Sequence, residues 1–344
     1  MNEIYINGRF LTQGLSGVQR FAYEIVKALS KINVITLLLP KNSKVKDCYN
    51  LEFKVKRIGI NSGHFWEQFD LPFFLSSIKN PLLICLTNSG PIFYKNKIVT
   101  VHDLSFYSNK WFNSTYSTYY KFITPKIIFN SHKVLTVSEF SKNEIINRFQ
   151  ISNKRVEVIY NASNIKKSKK SRKISSKYLL YVGTLSKRKN LAILLNSLEL
   201  LDLDLELVIV GKIDKNIKDE KIYKNQRIHL INDASNADLS NYYSYAEALI
   251  FPSFYEGFGI PPLEALKCGC PVIASNILVL KELYEDVIMY FNPYDEKELT
   301  EKIKFLMSND KIKQKMINDS FKIINKFSWD DSAAKINHLI KDLI

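Results

Sequence analysis

Short apolar runs rich in β-branched residues recur at 4–6, 34–39, 82–86, 98–101 and 134–137, each the length of a buried strand. Between some of them the period changes to that of a helix. From about Val18 onward Phe21, Ile25 and Leu29 share one face, and residues 142–149 follow the cap-like entry Ser138-Glu139-Phe140-Ser141. At 164–177 the pattern breaks into a polar, basic run that includes Lys166-Lys167-Ser168-Lys169-Lys170 and cannot bury a core. The alternation then restarts, with strand-like runs at 178–182, 205–210, 227–231, 248–251 and 271–274 and helical stretches at 191–201 and 239–246. Strands alternating with helices predict parallel sheets with helical crossovers. The chain is therefore expected to be α/β, with a first domain over 1–163, a linker over 164–177 and a second domain over 178–328. A last helix, about 329–344, carries Ala333, Ile336, Leu339 and Ile340 on one face. It has to pack on one of the two domains, and a return to the first is one option.

The length of 344 residues suits two domains, and 46% hydrophobic with 24% charged residues is the balance of a soluble globular protein. No apolar run is long enough to span a bilayer, and the start Met1-Asn2-Glu3-Ile4-Tyr5-Ile6 lacks the form of a signal peptide. Cys48, Cys85, Cys268 and Cys270 form no disulfide framework, which points to a reducing, cytoplasmic setting. A net charge of +15 attracts nucleic acid, anionic membrane or phosphorylated substrates. The basic run near 170 has no interleaved aromatics to stack on bases, so no nucleic-acid partner is expected. Aromatics concentrate instead at 63–74 (His64, Phe65, Trp66, Phe69, Phe73, Phe74). Most of these are expected in the core, with a lipid-facing surface as the alternative.

Candidate chemistry falls where strands give way to helices, the edge at which open α/β sheets bind ligands. After the strand-like 248–251 the chain turns through Glu256-Gly257-Phe258-Gly259-Ile260 and enters a helix at Pro261-Pro262, with Glu264 eight residues beyond Glu256. Proline suits a first helical turn, and the helix N-terminus offers N–H groups and a positive dipole end to an anion. Gly183-Thr184-Leu185-Ser186-Lys187-Arg188-Lys189-Asn190 occupies the same position after 178–182 and supplies two cations for a diphosphate. Gly14-Leu15-Ser16-Gly17-Val18-Gln19-Arg20 joins the first strand to the first helix, either as a phosphate-binding turn or as a plain one. His102 lies at a strand end beside Asp103, a context that His64, His132, His229 and His338 lack, so those four are read as structural. Asp202-Leu203-Asp204 matches a metal-binding D-x-D, but its place in a helix-to-strand turn favours turn chemistry.

In this order the pieces resemble glycosyltransferase family 4, retaining enzymes of the GT-B fold in which two Rossmann-like doubly wound domains face each other across a cleft. Glu256 to Glu264 looks like the family's E-x7-E signature, and 183–190 like its phosphate-binding entry. Gly17-Val18-Gln19-Arg20, His102-Asp103 and Thr136-Val137-Ser138-Glu139-Phe140-Ser141 look like the first-domain motifs. The nearest-looking members are bacterial mannosyltransferase-like enzymes of O-antigen and capsule assembly.

The resemblance implies that Glu264 holds the donor ribose and that Glu256 lies by the transferred sugar. Gly257, Phe258, Gly259 and Ile260 would meet the sugar and diphosphate through their backbone, Arg188 and Lys189 would neutralise the diphosphate, and Gly17 would close over it. His102 would sit near the sugar and the acceptor hydroxyl. The implied donor is GDP-mannose, with a UDP-hexose second, and no metal or further cofactor is implied. The implied acceptor is a lipid-linked saccharide, met by reversible contact with the anionic inner face of the cytoplasmic membrane. Thr184 stands where many members carry a second phosphate-binding Arg, and Leu230-Ile231-Asn232-Asp233-Ala234 lacks the usual base-contacting glycine. A different class, an NAD-dependent Rossmann oxidoreductase, is disfavoured because Gly257-Phe258-Gly259 is followed by Pro262 where a third glycine belongs.

Overall fold

The apolar runs fold as the central strands of two parallel sheets, buried on both faces, which is why they show no alternation with polar residues. The computed structural model describes residues 4–50, 52–108, 111–112, 114–211 and 225–343. The first sheet contains β1 (Ile4–Asn7), β2 (Ile35–Pro40), β3 (Lys54–Ile58), β4 (Leu83–Cys85), β5 (Lys97–Thr100), β6 (Lys133–Thr136) and β7 (Val156–Val158). The second contains β8 (Tyr178–Val182), β9 (Glu206–Val210), β10 (Ile228–Ile231), β11 (Ala248–Phe251), β12 (Val272–Ser275) and β13 (Met289–Phe291). Their orders are β3-β2-β1-β4-β5-β6-β7 and β10-β9-β8-β11-β12-β13, so the chain is α/β with two Rossmann-like doubly wound sheets.

Strand order reverses between β1 and β4 in the first sheet and between β8 and β11 in the second. A ligand crevice opens at such a point, outside the carboxyl ends of the strands, because the helices leaving the two neighbours go to opposite faces. The fold thus nominates one place in each sheet before any side chain is considered.

The chain divides into two compact units, Met1–Asn161 with Ser328–Ile344, and Ala162–Phe327. The terminal helix Trp329–Lys341 lies against the helix Gly17–Leu29 of the first unit. Trp329 meets the edge of Phe21 at 6.0 Å between ring centroids, and Ser332 donates to the Tyr160 carbonyl at 2.8 Å.

The basic run expected to be a linker is laid along the helix Asn236–Tyr245 of the second unit. Ser168 N donates to Ser244 Oγ at 2.8 Å, Asn241 Nδ2 to the Ser171 carbonyl at 2.9 Å and Tyr245 OH to the Lys170 carbonyl at 2.7 Å. A polar helix face supplies the partners that this irregular backbone needs.

The aromatic stretch departs from expectation. Its helical course runs through Gly63–Phe65, a π-helical turn at Trp66–Asp70, and Leu71–Ser77. Trp66, Leu71 and Leu75 take the buried face, whereas Phe65, Phe69 and Phe73 are 71%, 62% and 80% exposed. The core therefore takes Trp66 and leaves those three phenylalanines, spaced by four, on the opposite side.

Candidate functional site

In the second unit the expected residues converge on the switch point between β8 and β11. A 3-10 turn, Lys187–Lys189, leaves β8, and Asn190 then turns left-handed (φ 51°) into the helix Leu191–Leu200. The loop after β11 is tied to this turn, Phe254 N donating to the Arg188 carbonyl at 2.9 Å and Arg188 Nη1 to the Tyr255 carbonyl at 2.6 Å. The tie brings Glu256 between the two cations. Its Oε1 is 2.7 Å from Lys189 Nζ and its Oε2 is 3.1 Å from Arg188 Nη1. Burial pushes this carboxyl's pKa up, but the charges of Arg188 and Lys189 and the Lys189 hydrogen bond outweigh it and hold the pKa down at about 2. Glu256 is thus a buried, ionised carboxylate that neutralises half of a two-cation cluster.

Backbone lines the same place. Gly183 follows β8 and Gly211 follows β9, so close together that a Cβ on Gly211 would lie 1.9 Å from the Gly183 carbonyl oxygen. Gly259 adopts φ +94° as the N-cap of the helix Ile260–Lys267, and a Cβ there would meet Leu280 Cδ2 at 2.9 Å. Gly257 and Phe258 form the approach to that helix, and Ile260 is its first residue. Glu264 is buried one turn further on and accepts from Tyr243 OH at 3.0 Å. Glu256 and Glu264 therefore differ in surroundings, the first held by two cations and the second contacted by a neutral hydroxyl.

In the first unit Gly17 opens the helix Gly17–Leu29, whose N-cap residue Ser16 makes no side-chain cap. That leaves first-turn N–H groups without an intrahelical acceptor. His102 lies two residues beyond β5 and is buried. Its backbone N donates to Asn88 Oδ1 at 2.7 Å, and its Nε2 is 3.1 Å from the Leu86 carbonyl, which can only accept, so Nε2 carries the proton. Burial lowers its pKa and favours the neutral ring, with the lone pair on Nδ1.

The first sheet's own switch point is held by residues that the sequence reading did not select. Asn7 ends β1, Arg9 follows it, Ser89 lies beyond β4, and Glu67 comes in from the π-helical turn. Arg9 Nη2 donates to Ser89 Oγ at 2.8 Å, and Arg9 Nε is 3.3 Å from Glu67 Oε1. His64, set aside as structural, stands 3.5 Å from the other oxygen of Glu67. One signal was present in the sequence: a carboxylate among aromatics, which needs a buried partner if its helix is to pack.

The second half of the chain, residues 163–323, matches the family model described as "Glycosyl transferases group 1", and residues 15–167 match that of "Glycosyltransferase Family 4". The O-antigen chain mannosyltransferase RfbU of Salmonella typhimurium is 30% identical over 232 residues, 65% of this chain and 65% of that protein's length. The O-antigen chain mannosyltransferase B of Escherichia coli is 27% identical over 274 residues, 72% of this chain and 71% of that one. Among solved structures, Anabaena HepE in complex with UDP and glucose superposes with a TM-score of 0.78 at 16% identity, over 99% of this chain and 100% of that one. At that identity the likeness is one of fold.

The Glu256 cluster has a pH signature. A carboxyl held near 2 in the folded chain, against 4.5 as its ordinary value, contributes stability that is complete above 4.5 and is lost as pH falls through about 2. Glu256→Gln is expected to be less stable than the native chain at neutral pH by a few kcal/mol, on the order of a broken buried ion pair. Denaturant unfolding at a series of pH values should show that gap closing below pH 4.5. A gap independent of pH would contradict the ionised, cation-held state.

Proposed function

We propose, because the chain belongs to glycosyltransferase family 4, that it moves a hexose from a nucleoside-diphosphate sugar to a lipid-linked saccharide during assembly of a cell-surface polysaccharide, with retention of anomeric configuration. The observation that carries the donor half is the pair Arg188 and Lys189 at the second sheet's switch point, beside a glycine-lined helix N-terminus. Departure of the sugar builds negative charge on the diphosphate, and fixed cations and N–H groups aimed at that charge lower the barrier.

Each residue then takes a role. Arg188 and Lys189 bind the diphosphate, assisted by the backbone of Gly257, Phe258, Gly259 and Ile260. Glu264 holds the ribose hydroxyls and is kept in place by Tyr243. Glu256 gives up its cations to the incoming diphosphate and turns to the hydroxyls of the transferred sugar. On the first unit, Gly17 presents first-turn N–H groups able to meet an anion, and His102 is neutral with an accepting Nδ1, fit to meet a hydroxyl.

GDP-mannose is the favoured donor, supported by the likeness to two O-antigen chain mannosyltransferases. A UDP-hexose is second, supported by the similar fold that carries UDP and glucose. No helix among the described residues is long and apolar enough to cross a membrane. The acceptor is met by peripheral contact at the inner face of the cytoplasmic membrane, through the exposed Phe65, Phe69 and Phe73 and the net charge of +15.

Thermal unfolding with GDP or UDP tests the donor half, since a nucleotide at about 100 times its Kd adds roughly 2.7 kcal/mol. GDP is expected to raise the midpoint more than UDP. Glu264→Ala should remove most of that shift, while His102→Ala should keep it and lower turnover. Equal loss of nucleotide affinity in both variants would overturn the assignment of roles. Sedimentation with anionic vesicles should capture the chain at low salt and release it at high salt; no capture at low salt refutes the membrane contact.

A further inference from the structure

The first unit carries a second built site, one turn away from an apolar track. Glu67 is fully buried at the β1/β4 switch point. Burial pushes its pKa up, but the Arg9 charge and the hydrogen bond from Asn7 outweigh it, so it stays ionised. Three donors converge on its Oε1: Asn7 Nδ2 at 2.6 Å, Ser89 Oγ at 3.0 Å and Arg9 Nε at 3.3 Å. Its Oε2 is buried and takes no hydrogen bond.

An ionised oxygen left so is costly unless a polar group stands near it. The group that does is His64, whose Nδ1 lies 3.5 Å away and also meets Tyr119 OH at 2.5 Å. The His64 side chain is 42% exposed, and among the described residues its Nε2 takes no hydrogen bond. A π-helical turn at Trp66–Asp70 produces this arrangement, a distortion that recurs at functional sites. Glu67 therefore acts as a fixed, buried carboxylate that orients the His64 imidazole together with Tyr119.

Phe65, Phe69 and Phe73 continue from His64 along the same helical course. Phe65 and Phe69 stack at 6.3 Å and 15°, and Lys56 Nζ sits 4.6 Å above the neighbouring Phe74 ring. At about 1.5 Å per residue the three exposed rings make a track of roughly 12 Å. A half-exposed ring nitrogen free to donate to a phosphate oxygen at one end and bare aromatic rings beyond it match an amphiphile with an anionic head and a hydrocarbon tail.

We propose that His64 and the Phe65–Phe69–Phe73 track form a binding site for the acceptor's own lipid, an isoprenoid bearing a phosphate or diphosphate. His64 Nε2 takes a phosphate oxygen, the tail lies on the phenylalanines, and Glu67 is a positioning residue acting through His64. This rests on the lipid-linked acceptor proposed above and says which atoms recognise it. Ordinary bilayer phospholipid is the competing occupant, and short soluble probes separate the two.

The test is titration calorimetry of the full-length chain with farnesyl phosphate, farnesol, inorganic phosphate and dihexanoyl-phosphatidylglycerol, each lipid below its micelle concentration. Farnesyl phosphate is expected to bind at least ~10-fold more tightly than farnesol or the phospholipid, with inorganic phosphate too weak to compete. His64→Ala should erase the phosphate advantage and leave farnesol binding intact. Glu67→Gln should reduce the advantage, and the double variant Phe69→Ser, Phe73→Ser should weaken both isoprenoids. Thermal stabilisation by GDP or UDP, measured on every variant, reports that the chain is folded and that the donor site stands by itself. Equal binding of farnesyl phosphate and farnesol, equal binding of the phospholipid, or an advantage that survives His64→Ala would each overturn the proposal. Loss of the nucleotide response in the native chain would instead sink the transferase reading and leave the lipid titrations to be judged by themselves.

Discussion

A carboxylate held between two cations organises the second unit. Glu256 is buried, ionised and in contact with both Arg188 and Lys189. Two cations on adjacent residues repel each other and resist burial, so a chain that stores them at a strand end needs a countercharge whenever no anion is bound. Glu256 supplies it from the neighbouring strand's loop, and that pairing ties the exits of β8 and β11 together. The arrangement leaves one positive charge in excess, an attraction for a diphosphate, without an empty cationic pocket that would destabilise the fold.

The same topology explains why both units place chemistry where they do. In each sheet the strand order reverses beside the first strand, and charged residues gather at that reversal, from the flanking loops in the second sheet and from the loop after β1 and the π-helical turn in the first. The second unit sets glycines and a helix N-terminus against its cations, which suits an extended anion approaching the backbone. The first unit fills the equivalent place with side chains, Asn7, Arg9, Ser89 and Glu67, and Glu67 in turn meets the half-exposed His64. One topology thus builds two places of different character, one of bare backbone and cations, the other of an imidazole beside aromatic rings.

Much of this was legible in the residues. Central strands such as β1, β5, β8 and β11 are apolar runs because they are buried on both faces, and that left a readable signal. Glu256, Arg188 and Lys189 stood out at strand ends, but their mutual pairing did not, since contact between residues 67 positions apart is set by strand order and not by local pattern. β3 went unseen because an edge strand, here Lys54-Val55-Lys56-Arg57-Ile58, carries charges that protect its open side. Phe65, Phe69 and Phe73 were expected mostly inside, because hydrophobicity alone does not say which face of a helix meets the core. His64 was passed over because its partner, Glu67, shows its burial only once β1, β4 and the π-helical turn are assembled.

The central claim is that Arg188 and Lys189 hold a diphosphate in place of Glu256. Its most direct test is calorimetry of the native chain with the series guanosine, GMP and GDP, and uridine, UMP and UDP, repeated on the double variant Arg188→Met, Lys189→Met. In the native chain the diphosphate should bind ~100-fold more tightly than the nucleoside in the preferred series, as two charge-assisted contacts require, and the double variant should lose most of that step. Affinities that stay flat along both series, or a step that survives loss of both cations, would contradict the account.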